Sequence, residues 1–277
     1  FGKLTVLTLL EKGHQVAAAM RNINGKNKDI SDELGKAGAK IIELDVTIDS
    51  SVSDGVAQVI KDFGGLDVLI NNAGVGVLGI QEFFTSSDYQ KLFDVNVFGA
   101  QRMNRAVSPY FRKNNKGLII YVSSLLGRIA LPFYGPYQSS KWALEAMAEN
   151  YRVELSTFGI ENCIVEPGGF PTTFNENLIK PSDSSQTNSY GDFANFPDMM
   201  FSSYENTLKN NPQQNPQRVA DAIAELIEKP LGEKPFRTTI DFVGMGELIQ
   251  KYNEHSEQIM NSLYSNFEMT GLLSVKK

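Results

Sequence analysis

The chain has 277 residues, 42% of them apolar, a net charge of −6 and a pI near 5.1. It can therefore bury a substantial core, and it lacks the basic footprint of a nucleic-acid binder. One cysteine, Cys163, excludes an internal disulfide and suits a reducing, cytoplasmic setting as a packed core thiol, while His14 and His255 lie too far apart to suggest a zinc site. No apolar run reaches the length of a membrane span, so the expected partner is a small-molecule substrate, with neither nucleic acid nor membrane. No repeat or composition shift breaks the chain, and a single domain over 1–277 is expected.

In chain order, Leu4, Leu7, Thr8 and Leu10 share one side of a helix that Gly13 stops. Residues 14–20 (HQVAAAM) predict a strand, with Arg21 and Asn22 at its end. A short polar helix over 29–38 leads to a strand over 40–44 (KIIEL), and Asp45 follows directly. Val52, Val56, Val59, Ile60 and Phe63 stand at helical spacing until Gly64-Gly65. A strand over 66–70 ends at Asn71-Asn72-Ala73-Gly74. Residues 87–114 predict one long helix, capped by Ser86, Ser87 or Asp88, with Asn96 inside it.

The apolar run 118–122 suits a strand buried on both faces of a parallel sheet. Pro136 fits the first turn of a helix over 136–158 that stops at Gly159. A strand over 162–166 ends at Pro167-Gly168. Residues 174–216 form the least regular stretch, rich in Ser, Asn, Gln and Pro, yet they carry Phe174, Tyr190, Phe193, Phe196, Met199, Met200, Phe201 and Tyr204. That aromatic load is too high for a disordered linker, so 173–215 reads as a substrate lid; the alternative is that the aromatics only pack the loop down. A helix over 216–228, a strand over 238–243 and a helix over 246–263 precede a polar tail to residue 277. The alternation predicts an α/β fold: a doubly wound Rossmann-type three-layer sandwich with a parallel sheet.

Chemistry concentrates between Leu118 and Glu145. Tyr137 and Lys141 stand four apart, one above the other on a helix. A phenol titrates near ~10 and is a poor acid at neutral pH, but an ammonium one turn away favours the phenolate. Ser124, at the end of the buried strand, stands thirteen residues before Tyr137. Such a pair also arises by chance, and its context gives it weight.

Ser-Ser followed by Tyr-x-x-x-Lys after a Gly/Pro loop resembles the active-site segment of the short-chain dehydrogenase/reductase family, and Asn-Asn-Ala-Gly at 71–74 matches the same family. The resemblance covers Gly2 to about Val243, with five motifs in order. It implies reversible hydride transfer between NADP(H) and a carbonyl or alcohol. Tyr137 would give a proton to the carbonyl oxygen, Ser124 would hold that oxygen, Lys141 would lower the Tyr pKa and bond the ribose, and Asn96 would hold a relay water. Asn72, Ala73 and Gly74 would let the cofactor ribose approach, and Pro167, Gly168, Phe170 and Thr172 would clamp the carboxamide. Arg21 matches the position that holds a 2′-phosphate, favouring NADP(H) over NAD(H), although a solvated loop arginine reads the same way. Asp45 matches an adenine contact, with helix-start chemistry as its competitor.

Gly2 matches the last glycine of the family's glycine turn, so a strand and two further glycines are expected before Phe1. A homodimer or homotetramer through the two long helices is also implied. For the substrate, Ser124, Leu126, Phe133, Phe174 and Met199 are expected contacts, and Arg128 is the one candidate anchor for an anion. The expected substrate is a neutral, largely apolar ketone or aldehyde. An epimerase or dehydratase on the same fold, and a non-enzymatic NADP(H)-binding regulator, are the alternatives.

Overall fold

A computed structural model describes residues 1–275. Six strands, all parallel to their neighbours, form two sheets: β1 (Ala17–Met20) pairs with β2 (Lys40–Glu43), and β3 (Val68–Asn71), β4 (Gly117–Val122), β5 (Ile160–Pro167) and β6 (Arg237–Ile240) follow in that order. Their register aligns the carboxyl ends, with Asn71 opposite Tyr121 and Val122 opposite Val165.

Strand β4 explains its own apolar run. Ile119 and Tyr121 pack on one side with Val107 and Phe111 of α5 (Gly99–Asn114) and Leu144 and Ala148 of α6 (Gly135–Ser156). Leu118, Ile120 and Val122 pack on the other with Val219, Ile223 and Leu226 of α9 (Gln217–Glu228). Successive residues on a strand point to opposite faces, and here both faces are covered. The result is the doubly wound three-layer arrangement expected.

Helix α1 (Gly2–Glu11) ends before Gly13, whose φ is +85°, and its Thr8 hydroxyl takes a hydrogen bond from Gln217 on α9. Helices α2 (Lys28–Lys36) and α3 (Asp49–Phe63) flank the smaller sheet. The long helix expected over 87–114 is interrupted: α4 (Ser86–Phe93) and α5 are joined by a π-helical turn over Asp94–Phe98. Its cap is Thr85 rather than the serines or Asp88. Thr85 accepts from the Asp88 backbone N–H while the Asp88 carboxylate accepts from the Thr85 backbone, a reciprocal capping box.

The stretch read as irregular is mostly helical, comprising α7 (Thr173–Glu176), a 3₁₀ turn over Thr187–Asn195 and α8 (Phe196–Lys209). Its aromatics supply part of the reason. Tyr190 stacks on Phe193 at 6.2 Å and Phe193 on Phe196 at 4.9 Å, while Phe83 and Phe133 close the ladder. Backbone bonds from Leu78 to Ile179 and from Ile179 to Gly76 tie the segment to the chain leaving β3. Helix α10 (Gly246–Asn266) follows β6. The expected polar tail begins with a 3₁₀ turn over Thr270–Leu273, and residues 276–277 lie outside the described part.

Candidate active site

The carboxyl ends of β3, β4 and β5 open into a cavity of about 550 Å³. Parallel strands leave their ends free of hairpins, so loops from several strands can converge there. Strand β4 delivers Ser123 and Ser124. Ser124 caps a short 3₁₀ turn by accepting the Leu126 backbone N–H at 3.1 Å. Helix α6 then begins at Gly135-Pro136 and places Tyr137 and Lys141 one turn apart, facing the same cavity.

Both groups are buried, Tyr137 at 8% and Lys141 at 5% exposure. Burial penalises the charged form and pushes the Tyr137 phenol up to about 12, with the Ser124 hydroxyl pulling the other way. Burial likewise pulls the Lys141 ammonium down to about 8, against the Glu145 charge. The expected lowering of the phenol by Lys141 is therefore not what dominates. The ammonium donates to the Val122 carbonyl at 2.8 Å and lies 5.6 Å from the tyrosine ring centre. At neutral pH the site holds a neutral phenol beside a cation.

Asn96, inside the π-helical turn, is 2% exposed and clamps two elements. Its side chain accepts from the Val75 N–H and donates to the Val75 carbonyl, both at 2.9 Å, and donates to Ser140 of α6 at 3.0 Å. This fixes the segment after β3 against α6.

The other expected residues separate into two groups. Asn72, Gly74, Ser124, Leu126, Pro167, Gly168, Phe170, Thr172 and Phe174 line the cavity. Ala73 is exposed between two lining residues, and a Cβ on Gly2 would meet the Asn72 amide nitrogen at 2.6 Å. Arg21 and Asp45 lie outside the cavity but together, with 3.7 Å between guanidinium and carboxylate. Burial works to raise the Asp45 carboxyl, yet the Thr47 N–H and hydroxyl and the Arg21 charge outweigh it and hold it low.

Two expected substrate contacts are corrected, and the one candidate anion anchor is found engaged. Phe133 does not line the cavity, because its positive φ of +73° turns the ring towards Phe193, 5.8 Å away. Met199 is 63% exposed, and its neighbour Met200 faces the cavity instead. Arg128, the candidate anchor for an anion, does not line the cavity. It is 9% exposed, donates to Asn253 at 2.9 Å, stacks on Tyr252 and approaches Glu145 at 3.7 Å.

Behind the serines lies a buried charge cluster that no local motif announces. The Ser123 hydroxyl donates to Glu145 at 2.7 Å, and Arg237 bridges Glu145 and Glu166 at 3.3 Å each. Burial raises both carboxyls, and for Glu145 the Glu166 charge adds to it. Gln214, 1% exposed, was also missed. It donates to the Gly169 carbonyl and accepts the Phe242 N–H at 2.9 Å. Asp241 had a readable sign, a carboxylate just before a helix start. One of its oxygens accepts the backbone N–H of Gly244, Met245 and Gly246 at 3.1, 2.8 and 3.1 Å.

Comparison with known proteins agrees with this geometry. The short chain dehydrogenase profile matches residues 1–183. The chain is 34% identical over 255 residues to 3-ketodihydrosphingosine reductase of Bacteroides thetaiotaomicron, covering 90% of this chain and 85% of that protein. It is 34% identical over 224 residues to retinol dehydrogenase 8 of Bos taurus, covering 77% and 69% respectively. A short-chain dehydrogenase from Streptomyces avermitilis shares the fold, with a TM-score of 0.73 at 24% identity over 96% of this chain and 93% of that one. ElxO, solved with NADP bound, gives a TM-score of 0.67 at 25% identity over 87% and 92%. The chain belongs to the short-chain dehydrogenase family of oxidoreductases.

Proposed function

We propose that this oxidoreductase reduces a neutral, largely apolar ketone or aldehyde with NADPH as reductant. The observation that carries the reading is the cavity itself. Ser124, Tyr137 and Lys141 meet within walls of Leu125, Leu126, Ile129, Leu131, Phe170 and Phe174. Its only charged side chains among the described residues are Lys141 and Asp241, and Asp241 is already taken up by backbone N–H groups. A charged substrate needs paired partners to offset its desolvation, and none is offered here. Two relatives named for lipids, the 3-ketodihydrosphingosine reductase and the retinol dehydrogenase, support an apolar substrate.

The residues along the strand ends fit a nicotinamide dinucleotide. Gly74 borders the cavity beside Lys141, whose nitrogen would stand 3.8 Å from a Cβ there. Thr172, Pro167 and Gly168 offer a hydroxyl and backbone groups at the far side of the same cavity. Arg21 supplies the cation for a 2′-phosphate, and the NADP-bound neighbour supports that preference. When bound, the nucleotide supplies the hydride.

The chain's own residues handle the proton. The Ser124 hydroxyl orients the carbonyl oxygen and Tyr137, held as neutral phenol, donates its proton to that oxygen. The Lys141 ammonium stabilises the phenolate left behind. Asn96 keeps α6 and the end of β3 in register, and a relay water at Asn96 belongs to the same reading. So does assembly as a homodimer or homotetramer, for which Trp142, 43% exposed on α6, provides an apolar surface. A reducing cytosol suits Cys163, pushed up to about 12 by burial and inert. Among the described residues, no helix is long and apolar enough to cross a membrane.

The test follows NADPH consumption with an aryl or alkyl ketone and with a 2-keto acid of similar size. The ketone should have the higher kcat/KM. A preference for the acid overturns the apolar-pocket reading, and absence of turnover with every carbonyl compound overturns the reductase reading.

A further inference from the structure

The turn into α6 contains a strained residue that the reductase reading does not use. Phe133 stands at φ +73°, a left-handed conformation that bulky residues rarely adopt unless their surroundings enforce it. Here the Phe133 carbonyl accepts the Gly79 N–H at 2.9 Å and its ring rests on Phe193. The consequence falls on the next residue. Tyr134 becomes the N-cap of α6, three positions before Tyr137. Both are buried, at 7% and 8% exposure, and both line the cavity with Ser124.

Their hydroxyls are treated differently. That of Tyr137 has Ser124 beside it, whose hydroxyl pulls its titration down against burial. That of Tyr134 takes no hydrogen bond from the described residues. Burial, then the neighbouring Tyr204, Tyr137 and Glu205, push its titration up, so it stays a neutral phenol able to donate and to accept. A phenol that lines the cavity with no protein partner is free to hydrogen-bond a ligand there. Tyr134 and Tyr137 border one cavity, and the Tyr137 phenol is near enough to act on that of Tyr134. Two phenols on one cavity wall can each reach inwards by a hydrogen bond of about 2.8 Å and meet two oxygens of one ligand.

We propose that Tyr134 is a second polar anchor of the cavity, hydrogen-bonding a hydroxyl on the carbon next to the carbonyl held by Ser124 and Tyr137, so that the preferred substrate is an α-hydroxy ketone with an apolar tail. This rests on the reductase reading and narrows it. The neutral phenol favours a neutral substituent, and the apolar walls take the tail. A ketone lacking the hydroxyl leaves Tyr134 unpaired, which is how a site that hydrogen-bonds its substrate rejects analogues.

The experiment compares a long-chain hydroxymethyl ketone with the matching methyl ketone, by NADPH consumption, in the wild type and in Tyr134→Phe. The wild type should prefer the hydroxymethyl ketone in kcat/KM by about tenfold or more. In Tyr134→Phe the ratio should fall towards unity. Equal kcat/KM values in the wild type overturn the proposal without any variant, and so does a ratio that Tyr134→Phe leaves intact. If neither ketone is reduced, the reductase reading itself fails and this proposal with it; if both are reduced without discrimination, only this proposal fails.

Discussion

At the inner end of the site Tyr137 and Lys141 are almost wholly buried, whereas at the outer end the Arg21 side chain is 62% exposed and the Asp45 side chain 24%. Each end carries one cation, but the inner one stands beside a neutral phenol and the outer one beside a carboxylate. Burial moves the inner pair to about 12 and about 8, which fixes their proton inventory at neutral pH and makes them acid and cation. The outer pair meets across 3.7 Å in reach of solvent, where salt screens its field. The inner end is therefore suited to changing the barrier of a reaction, and the outer end to choosing between ligands.

The comparison breaks first at Tyr137. Tyr137→Phe keeps the buried ring and deletes the proton donor, so kcat should fall by about two to four orders of magnitude. Cofactor affinity, read by fluorescence titration, should stay within about twofold, since the phenol contributes at most one neutral hydrogen bond to it. A variant that keeps most of its ketone reduction removes the acid role.

The pH profile probes the same end. Lys141 is charged below about 8 and loses its proton above it, while Tyr137 remains protonated throughout that range. Reduction should therefore fall as pH rises through about 8, approaching roughly tenfold per unit for a single required proton. A profile flat to pH 10 would show that the lysine charge is not needed. Arg21→Ala acts at the outer end, and its effect should be smaller and selective. NADPH affinity should drop about tenfold, at the lower end for a charge-assisted contact because the guanidinium is exposed, and NADH affinity should barely move. Equal losses for both cofactors would make Arg21 structural.

This contrast also explains what the sequence revealed. Burial on both faces wrote β4 as an uninterrupted apolar run, and the i, i+4 spacing of Tyr137 and Lys141 marked the helix that borders the candidate site. Contacts that join distant segments left no such trace. Asn71 bonds Asn104, Asn104 bonds Tyr121 and Tyr121 bonds Asn162, a buried polar chain across three strands whose bonded partners stand up to 41 positions apart. The same holds for Arg128, which reads as a free cation in a loop and is in fact locked by Glu145 and Asn253. The π-helical turn at Asn96 was invisible because one extra residue per turn does not disturb the apolar pattern over so short a span. In the 173–215 segment composition disclosed the aromatic load, but not which rings pack on one another and which face the cavity.

That last distinction gives the smallest expected effect and the sharpest local control. Met199 and Met200 are adjacent on α8, and neighbours on a helix point about 100° apart. Met199 is 63% exposed, whereas Met200 is half-buried and lines the cavity. Truncating Met200 to alanine removes apolar area that only a bound substrate would cover, so about 1 kcal/mol of binding, a few-fold rise in KM for an apolar ketone, should be lost. Truncating Met199 removes contacts with water and should leave KM within measurement error. Thermal melts separate the two causes: neither variant should shift Tm by more than a few degrees, because neither side chain belongs to the packed core. If Met199→Ala raises KM as much as Met200→Ala, the face of α8 that meets the substrate is the one the sequence suggested rather than the one the fold presents.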